Sequence, residues 1–159
     1  MGLNISHGCW NGPCSSFNRW RRKIAETAGL PPLDWMEGYY QWTDIRFKEA
    51  CDAQNAMGPS HEYRWAKDLL SGIYVDANLP IKWDCLKPSP LHELLRHSDC
   101  EGVIAAGRCD AIADDLEVLL PLLPEGGSGD YIPSWRRITE RFITGLRLAS
   151  VNGEDVVFR

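Results

Sequence analysis

No apolar run in the 159-residue chain approaches the roughly 20 residues that span a bilayer. The stretch from Met1 to Trp10 also lacks the basic-then-apolar pattern of a secretion signal. A membrane function is therefore not expected, and a cytoplasmic location is. The chain has no CxxC pair, no internal repeat and no low-complexity tract. It also lacks an excess of positive charge. Against 17 Lys and Arg stand 22 Asp and Glu, for a net charge of −5. A protein that tracks a long nucleic acid needs a basic footprint, so that class is excluded.

What is present is average for a globular protein: 44% hydrophobic and 25% charged residues, which excludes disordered and fibrous classes. A chain of this length makes one domain, 1–159, and folding removes about 70% of its unfolded surface from water. The charge is uneven. Residues 1–30 carry four basic groups and one acid, and 131–159 carry five and three, whereas 89–130 carry two and nine. An acidic protein with basic ends can still hold a small anion locally.

The six cysteines are Cys9, Cys14, Cys51, Cys85, Cys100 and Cys109. Four residues separate Cys9 from Cys14 and eight separate Cys100 from Cys109, neither a zinc-knuckle spacing. With His7 and His97 they could compose a four-ligand site. Reduced thiols in a cytosolic core are the leading expectation, with no metal and no cofactor.

Hydrophobic periodicity predicts an α+β domain, with short strands at both termini and four or five helices. Gly2 to Ser6 alternates like a strand, and His7 to Ser15 reads as a loop. A helix follows, capped by Ser15 or Ser16, with Phe17, Trp20, Ile24 and Ala28 inward and Gly29 as its stop. Residues 31–88 read as an insertion or cap, with possible helices at Thr43 to Ala56 and Ser60 to Leu70 around the breaker Met57-Gly58-Pro59. Short strands are possible at Gly72 to Val75 and Ile81 to Trp83. Beyond it, Ser89-Pro90 opens a helix reaching His97. Val103-Ile104 is a short apolar pair, and Cys109 to Leu120 a helix. Pro133 to Val151 is a long amphipathic helix burying Trp135, Ile138, Phe142, Leu146 and Ala149. Val156 to Phe158 forms a last strand.

Two polar segments could carry chemistry. The first is the His7–Ser16 loop at the start of a basic helix. There unpaired N–H groups, the helix dipole, Ser15, Ser16 and Arg19 make a ready anion site, and Trp10 could stack a planar group. Ordinary capping by the two serines explains the same residues. The second is His97-Ser98-Asp99-Cys100-Glu101-Gly102. His97 and Asp99 could act as base and orienting acid, or ligate a metal with Cys100. A dipole-facing histidine, a turn aspartate and a buried cysteine explain it equally well. Trp20-Arg21-Arg22 and Trp135-Arg136-Arg137 could each sandwich a base, but both tryptophans lie on predicted core stripes. His61 and His92 read as structural.

The opening Gly-Leu-Asn-Ile-Ser-His, the Phe17-Asn18-Arg19-Trp20-Arg21 run, His97 to Gly102, Leu119 to Pro124, Phe142 to Leu146 and Gly153 to Val156 together resemble a family of uncharacterised proteins of actinobacteria and their phages. The resemblance covers roughly residues 1–30 and 89–159 and brings no established activity. It implies that a tyrosine commonly stands where Cys14 is and that Cys9 is not typical, which weighs against a zinc site built on them. It points to His7, Trp10, Ser15, Arg19, His97 and Asp99.

The leading expectation is a protein that binds a small anionic, nucleotide-like molecule through His7, Trp10, Ser15, Ser16, Arg19, His97 and Asp99. In a phage, sequestering a host immune nucleotide signal would be its use. One alternative is a metal- or His/Asp-dependent hydrolase of a phosphorylated substrate. The other is an inhibitor that docks through the acidic 89–130 face.

Overall fold

The computed structural model describes residues 2–39 and 80–159. The readings at Thr43 to Ala56, Met57 to Pro59, Ser60 to Leu70 and Gly72 to Val75, with Cys51 and His61, lie outside them. The chain divides into two compact units: Met1–Ile24 with Ser89–Arg159, and Ala25–Pro88 between them.

The first unit is α+β. Its elements in chain order are β1 (Gly2–Ile5), β2 (Trp10–Pro13), α1 (Cys14–Thr27, whose last turn leads into the second unit), α2 (Leu91–Arg96), β3 (Gly102–Ile104), α3 (Ala106–Leu119), α4 (Trp135–Asn152) and β4 (Val156–Phe158). The strands form one antiparallel sheet in the order β2-β1-β4-β3. Register places Leu3 opposite Gly12 and Ile5 opposite both Trp10 and Phe158. Leu3, Ile5, Trp10, Ile104, Val156 and Phe158 are all buried, so one face of the sheet is the core face.

The segment read as a loop after β1 is instead a β-hairpin. His7 and Gly8 have φ of 57° and 72°, and Cys9 N donates to Ser6 O at 3.2 Å. Two central residues with positive φ make the turn whose twist matches paired strands, and glycine and histidine both tolerate it. Trp10-Asn11-Gly12-Pro13 then pairs as an edge strand, where a proline is accepted. The helix consequently begins at Cys14, which places Ser15 and Ser16 inside its first turn rather than at its cap.

Helices α1 and α4 run antiparallel over the core face. Phe17 stacks on Phe142 (6.2 Å between centroids), Trp20 stacks on Phe142 (4.7 Å) and Trp20 Nε1 donates to Thr139 Oγ1 at 3.0 Å. Burying such rings dominates the energetics of a small core. Sharp caps bound α4: Ser134 accepts from Arg137 N, and Gly153 closes the helix at φ 68°. In its middle, a Cβ on Gly145 would lie 2.4 Å from Cys9 Sγ and 2.9 Å from His7 O, so glycine there lets the hairpin turn seat against the helix. α3 packs beside α4, where Arg147 reaches Asp110, Asp114 and Glu117.

In the second unit, a short 3-10 turn at Leu33–Trp35 leads to Met36, which bridges in parallel with Ile81. Trp83 begins another 3-10 turn (Trp83–Cys85), and its Nε1 donates to Glu37 O at 3.1 Å. The expected strand at Ile81 to Trp83 is thus reduced to that single bridge, because the chain turns immediately after it.

Candidate functional site

The hairpin places His7 in a fixed chain of bonds. Its Nδ1 lies 2.9 Å from Ser6 Oγ and its Nε2 2.7 Å from Glu154 Oε2. Ser6 Oγ accepts from Val157 N at 2.9 Å, which leaves its own hydrogen for Nδ1 and the Nε2 hydrogen for Glu154. The bond from His7 and a second from Asn152 hold the Glu154 carboxyl below its ordinary value. Serine, imidazole and carboxylate in this order resemble a hydrolytic triad, which is recognised by geometry. Here, however, serine and histidine are consecutive, and the hydroxyl belongs to the pairing of β1 with β4. The arrangement ties the hairpin turn to the α4–β4 connection, a role shared by Arg141, whose Nε donates to Gly8 O at 2.7 Å.

The His97–Gly102 segment meets α1 on the flank formed by Cys14, Asn18 and Arg21, which helical spacing sets above one another. Asn18 Nδ2 donates to Asp99 Oδ2 at 2.5 Å, and Arg21 donates to Asn18 Oδ1. Arg21 is 1% exposed, lies 4.6 Å over the Phe17 ring and donates to His97 O at 2.5 Å, with longer contacts to Leu94 O and Leu95 O. A buried guanidinium thus satisfies the carbonyls that end α2. His97 stacks on Phe158 at 3.9 Å, with Nδ1 2.8 Å from Ser98 O and Nε2 3.2 Å from Val103 O. Both ring nitrogens therefore face backbone carbonyls. Burial pushes the Asp99 carboxyl up. Hydrogen bonds from Asn18 and Cys100, with nearby Arg21, outweigh that and hold it below its ordinary value.

Cys100 departs from expectation. It is exposed, not packed, because the turn Ser98–Glu101 projects it outward. Its thiol donates to Asp99 Oδ1 at 3.3 Å, and that bond and the charge of Asp99 push its pKa up, away from a reactive thiolate. Cys9 and Cys109 are buried thiols, and desolvation pushes Cys9 up to about 12. Among the described residues no three His, Cys, Asp or Glu side chains converge as metal ligands.

The other flank of α1 carries Ser15 and Arg19, one turn apart and both exposed. Arg19 Nη1 donates to Ser128 Oγ at 3.1 Å and to Ser128 O at 3.4 Å. It thereby joins α1 to the glycine-rich segment before α4. That segment folds on itself: Ser128 N donates to Ile132 O, Ile132 N to Gly129 O and Trp135 N to Gly126 O. Gly126 and Gly129 have φ of 82° and 73°, values that side chains rarely adopt. Ser16 is buried.

Trp10 requires a correction. In β2 its ring points to the core, 3% exposed and 5.4 Å from Phe17, so it cannot stack a ligand as a loop residue would. The exposed aromatic of this flank is Tyr131, 55% exposed, whose ring lies over Gly12. Its position after a glycine cluster was the available signal. Asn18 was missed, and Arg21, read as one side of a base sandwich, is instead buried against the end of α2. Their partners lie more than 70 residues away in sequence, so only their i, i+3 spacing hinted at a shared face.

Ser15 and Arg19 thus lie on a different flank of α1 from the one that meets the His97–Gly102 loop, whereas Cys14 lies on the flank that meets it. The His97–Gly102 loop meets Asn18 and Arg21, the glycine-rich segment meets Arg19, and His7 bonds Ser6 and Glu154. Comparison with protein-family models, curated proteins and solved structures gives no match. The site must be read from its own chemistry.

Proposed function

We propose that the protein binds a small anionic, nucleotide-like molecule on the Ser15–Arg19 flank of α1, against the glycine-rich segment that ends at Tyr131. The supporting observation is the state of Arg19. Arg108, Arg136 and Arg147 each pair with a carboxylate. Among the described residues, Arg19 bonds only the neutral oxygens of Ser128, through one of its terminal nitrogens. A guanidinium anchored at one nitrogen and uncompensated in charge is suited to a phosphate. Ser15 adds a hydroxyl one turn away, and the first turn of α1 holds no acid to offset its dipole. The exposed Tyr131 ring supplies a face for a planar group.

Within this reading His7, Ser16, His97 and Asp99 shape the scaffold and do not touch the ligand. A hydrolytic role would need a free base, and the described imidazoles of His7 and His97 are both engaged. Docking through the acidic 89–130 face is also disfavoured. Glu93, Asp110, Asp114, Glu117 and Glu125 pair with arginines of this chain, and Asp115 accepts from Ser89 and from Leu91 N. Holding a nucleotide without turning it over suits sequestration.

Calorimetry with nucleoside monophosphates, cyclic dinucleotides and inorganic phosphate tests the reading. Arg19→Ala should weaken the tightest of these by about 1.5–3 kcal/mol, roughly tenfold to a hundredfold, with the fold intact by circular dichroism. An unchanged Kd would return Arg19 to the solvated surface.

A further inference from the structure

We infer that the indole N–H of Trp10 is the donor of a base-reading subsite beneath Tyr131, where it takes an acceptor atom on the planar part of the ligand. The inference rests on the anion-binding reading above and adds to it which edge of the ligand is read.

The indole nitrogens of Trp20, Trp83 and Trp10 differ in their environments. Trp20 Nε1 donates to Thr139 and Trp83 Nε1 to Glu37 O. Trp10 Nε1 is buried with no acceptor among the described residues, in a residue only 3% exposed. Buried donors without a partner are rare in folded proteins, and each requires a reason. The surroundings of this one suggest a reason. Gly12 lies two residues along β2, on the same face as Trp10. A Cβ there would come 3.5 Å from Nε1 and 3.1 Å from Tyr131 Cδ1. Glycine therefore leaves the strand bare between the indole nitrogen and the tyrosine ring. The ring itself is carried by the segment containing Gly126 and Gly129, and that segment is bonded to Arg19 through Ser128.

Cation, aromatic cover, bare strand and unmet donor are thus carried by neighbouring segments of the first unit. A flat heterocycle that displaced the Tyr131 ring from Gly12 would lie against backbone, with a ring nitrogen or carbonyl oxygen facing the indole N–H. Its phosphate would remain at Arg19. Inorganic phosphate would use Arg19 alone. A base with only donors on the inserted edge would be rejected, because it would leave two buried donors facing each other.

The test pairs calorimetry with two-dimensional 15N–1H spectra of the full chain, using AMP, GMP, CMP, UMP and inorganic phosphate as probes. The expected result is that at least one nucleotide binds more than tenfold tighter than phosphate and moves the Trp10 indole proton downfield. Trp10→Phe and Gly12→Ala should then each remove that tenfold advantage while leaving phosphate affinity within twofold. A nucleotide bound at saturation with the Trp10 indole signal unmoved overturns the inference even if Trp10→Phe does not fold. So does equal affinity for phosphate and every nucleotide, and in both cases the Arg19 reading survives. If none of the probes binds, or if Arg19→Ala leaves their binding unchanged, the anion reading fails and the inference with it.

Discussion

Replacing Arg21 by methionine keeps the length and bulk of the side chain and removes its charge. The bond to His97 O, at 2.5 Å, is charge-assisted and worth about 1.5–3 kcal/mol. The contacts to Leu95 O and Leu94 O, at 3.4 and 3.5 Å, sit at the outer limit of a hydrogen bond and add little. The position over Phe17 contributes about 0.5–2 kcal/mol more. Against these stands the desolvation of a guanidinium that is 1% exposed, which the substitution recovers. It does not recover the carbonyls that end α2, which stay in place and lose their donor. The net expectation is a loss of about 2–4 kcal/mol, a large share of a typical domain's stability. In urea unfolding followed by circular dichroism, the midpoint should fall by about 1–2 M at unchanged slope. Arg21→Lys should lie between the two, since an ammonium can keep the His97 bond but not span several carbonyls. A loss below about 1 kcal/mol for Arg21→Met would refute the reasoning, because it would mean that the end of α2 is hydrated or rearranges without cost.

Three further outcomes follow from the same geometry. Gly145→Ala places a methyl 2.4 Å from Cys9 Sγ and should cost about 1–3 kcal/mol by overpacking, and adding Cys9→Ala should restore part of that in a double-mutant cycle. Asp99 has a folded pKa below its ordinary 3.8, so its stabilising contribution is present above that value and lost as pH falls through the lower folded one. The stability gap between wild type and Asp99→Asn should therefore be flat at neutral pH and close on the acid side of 3.8 in pH-dependent urea titrations; a gap that persists at the acid limit counts against this. Asp99→Asn should also speed iodoacetamide labelling of Cys100, because it removes the acceptor and charge that raise that thiol, and an unchanged rate would contradict the link.

The legible parts of the fold are those whose signals are local. α4 has a serine cap, a glycine stop and an unbroken apolar stripe, so its course could be read to within two residues. β4 follows the Gly153 stop and carries its own alternation. The hairpin was hidden because Asn11, Gly12 and Pro13 are loop residues in most settings. Only their place at the sheet edge makes a strand of them, and that depends on β1 as partner. The candidate site was half visible for a similar reason. Arg19 and Ser15 announce themselves by helical position. Tyr131 and Gly12, the buried indole of Trp10 and the Asn18–Asp99 contact exist only once distant segments meet. Cys100 was misjudged because cysteine is usually buried, and only the turn Ser98–Glu101 shows otherwise.

The strand order β2-β1-β4-β3 also constrains the sequence of events by which the protein is made. Of the four strands in this sheet β1 is made before the others, yet its second partner is β4, the last of the four, with Ile5 opposite Phe158. Asn4 and Arg159 exchange backbone bonds at 2.8 and 2.9 Å. At about 5–20 residues per second, roughly eight to thirty seconds separate the two strands on the ribosome. For that interval the hairpin presents an unsatisfied strand edge and the bare side chains of Leu3 and Ile5, the surface on which nascent chains stick to one another. β3, too, waits for β4. The sheet is therefore closed in a single late event from the middle outward, and the growing chain depends on whatever shields β1 until β4 arrives.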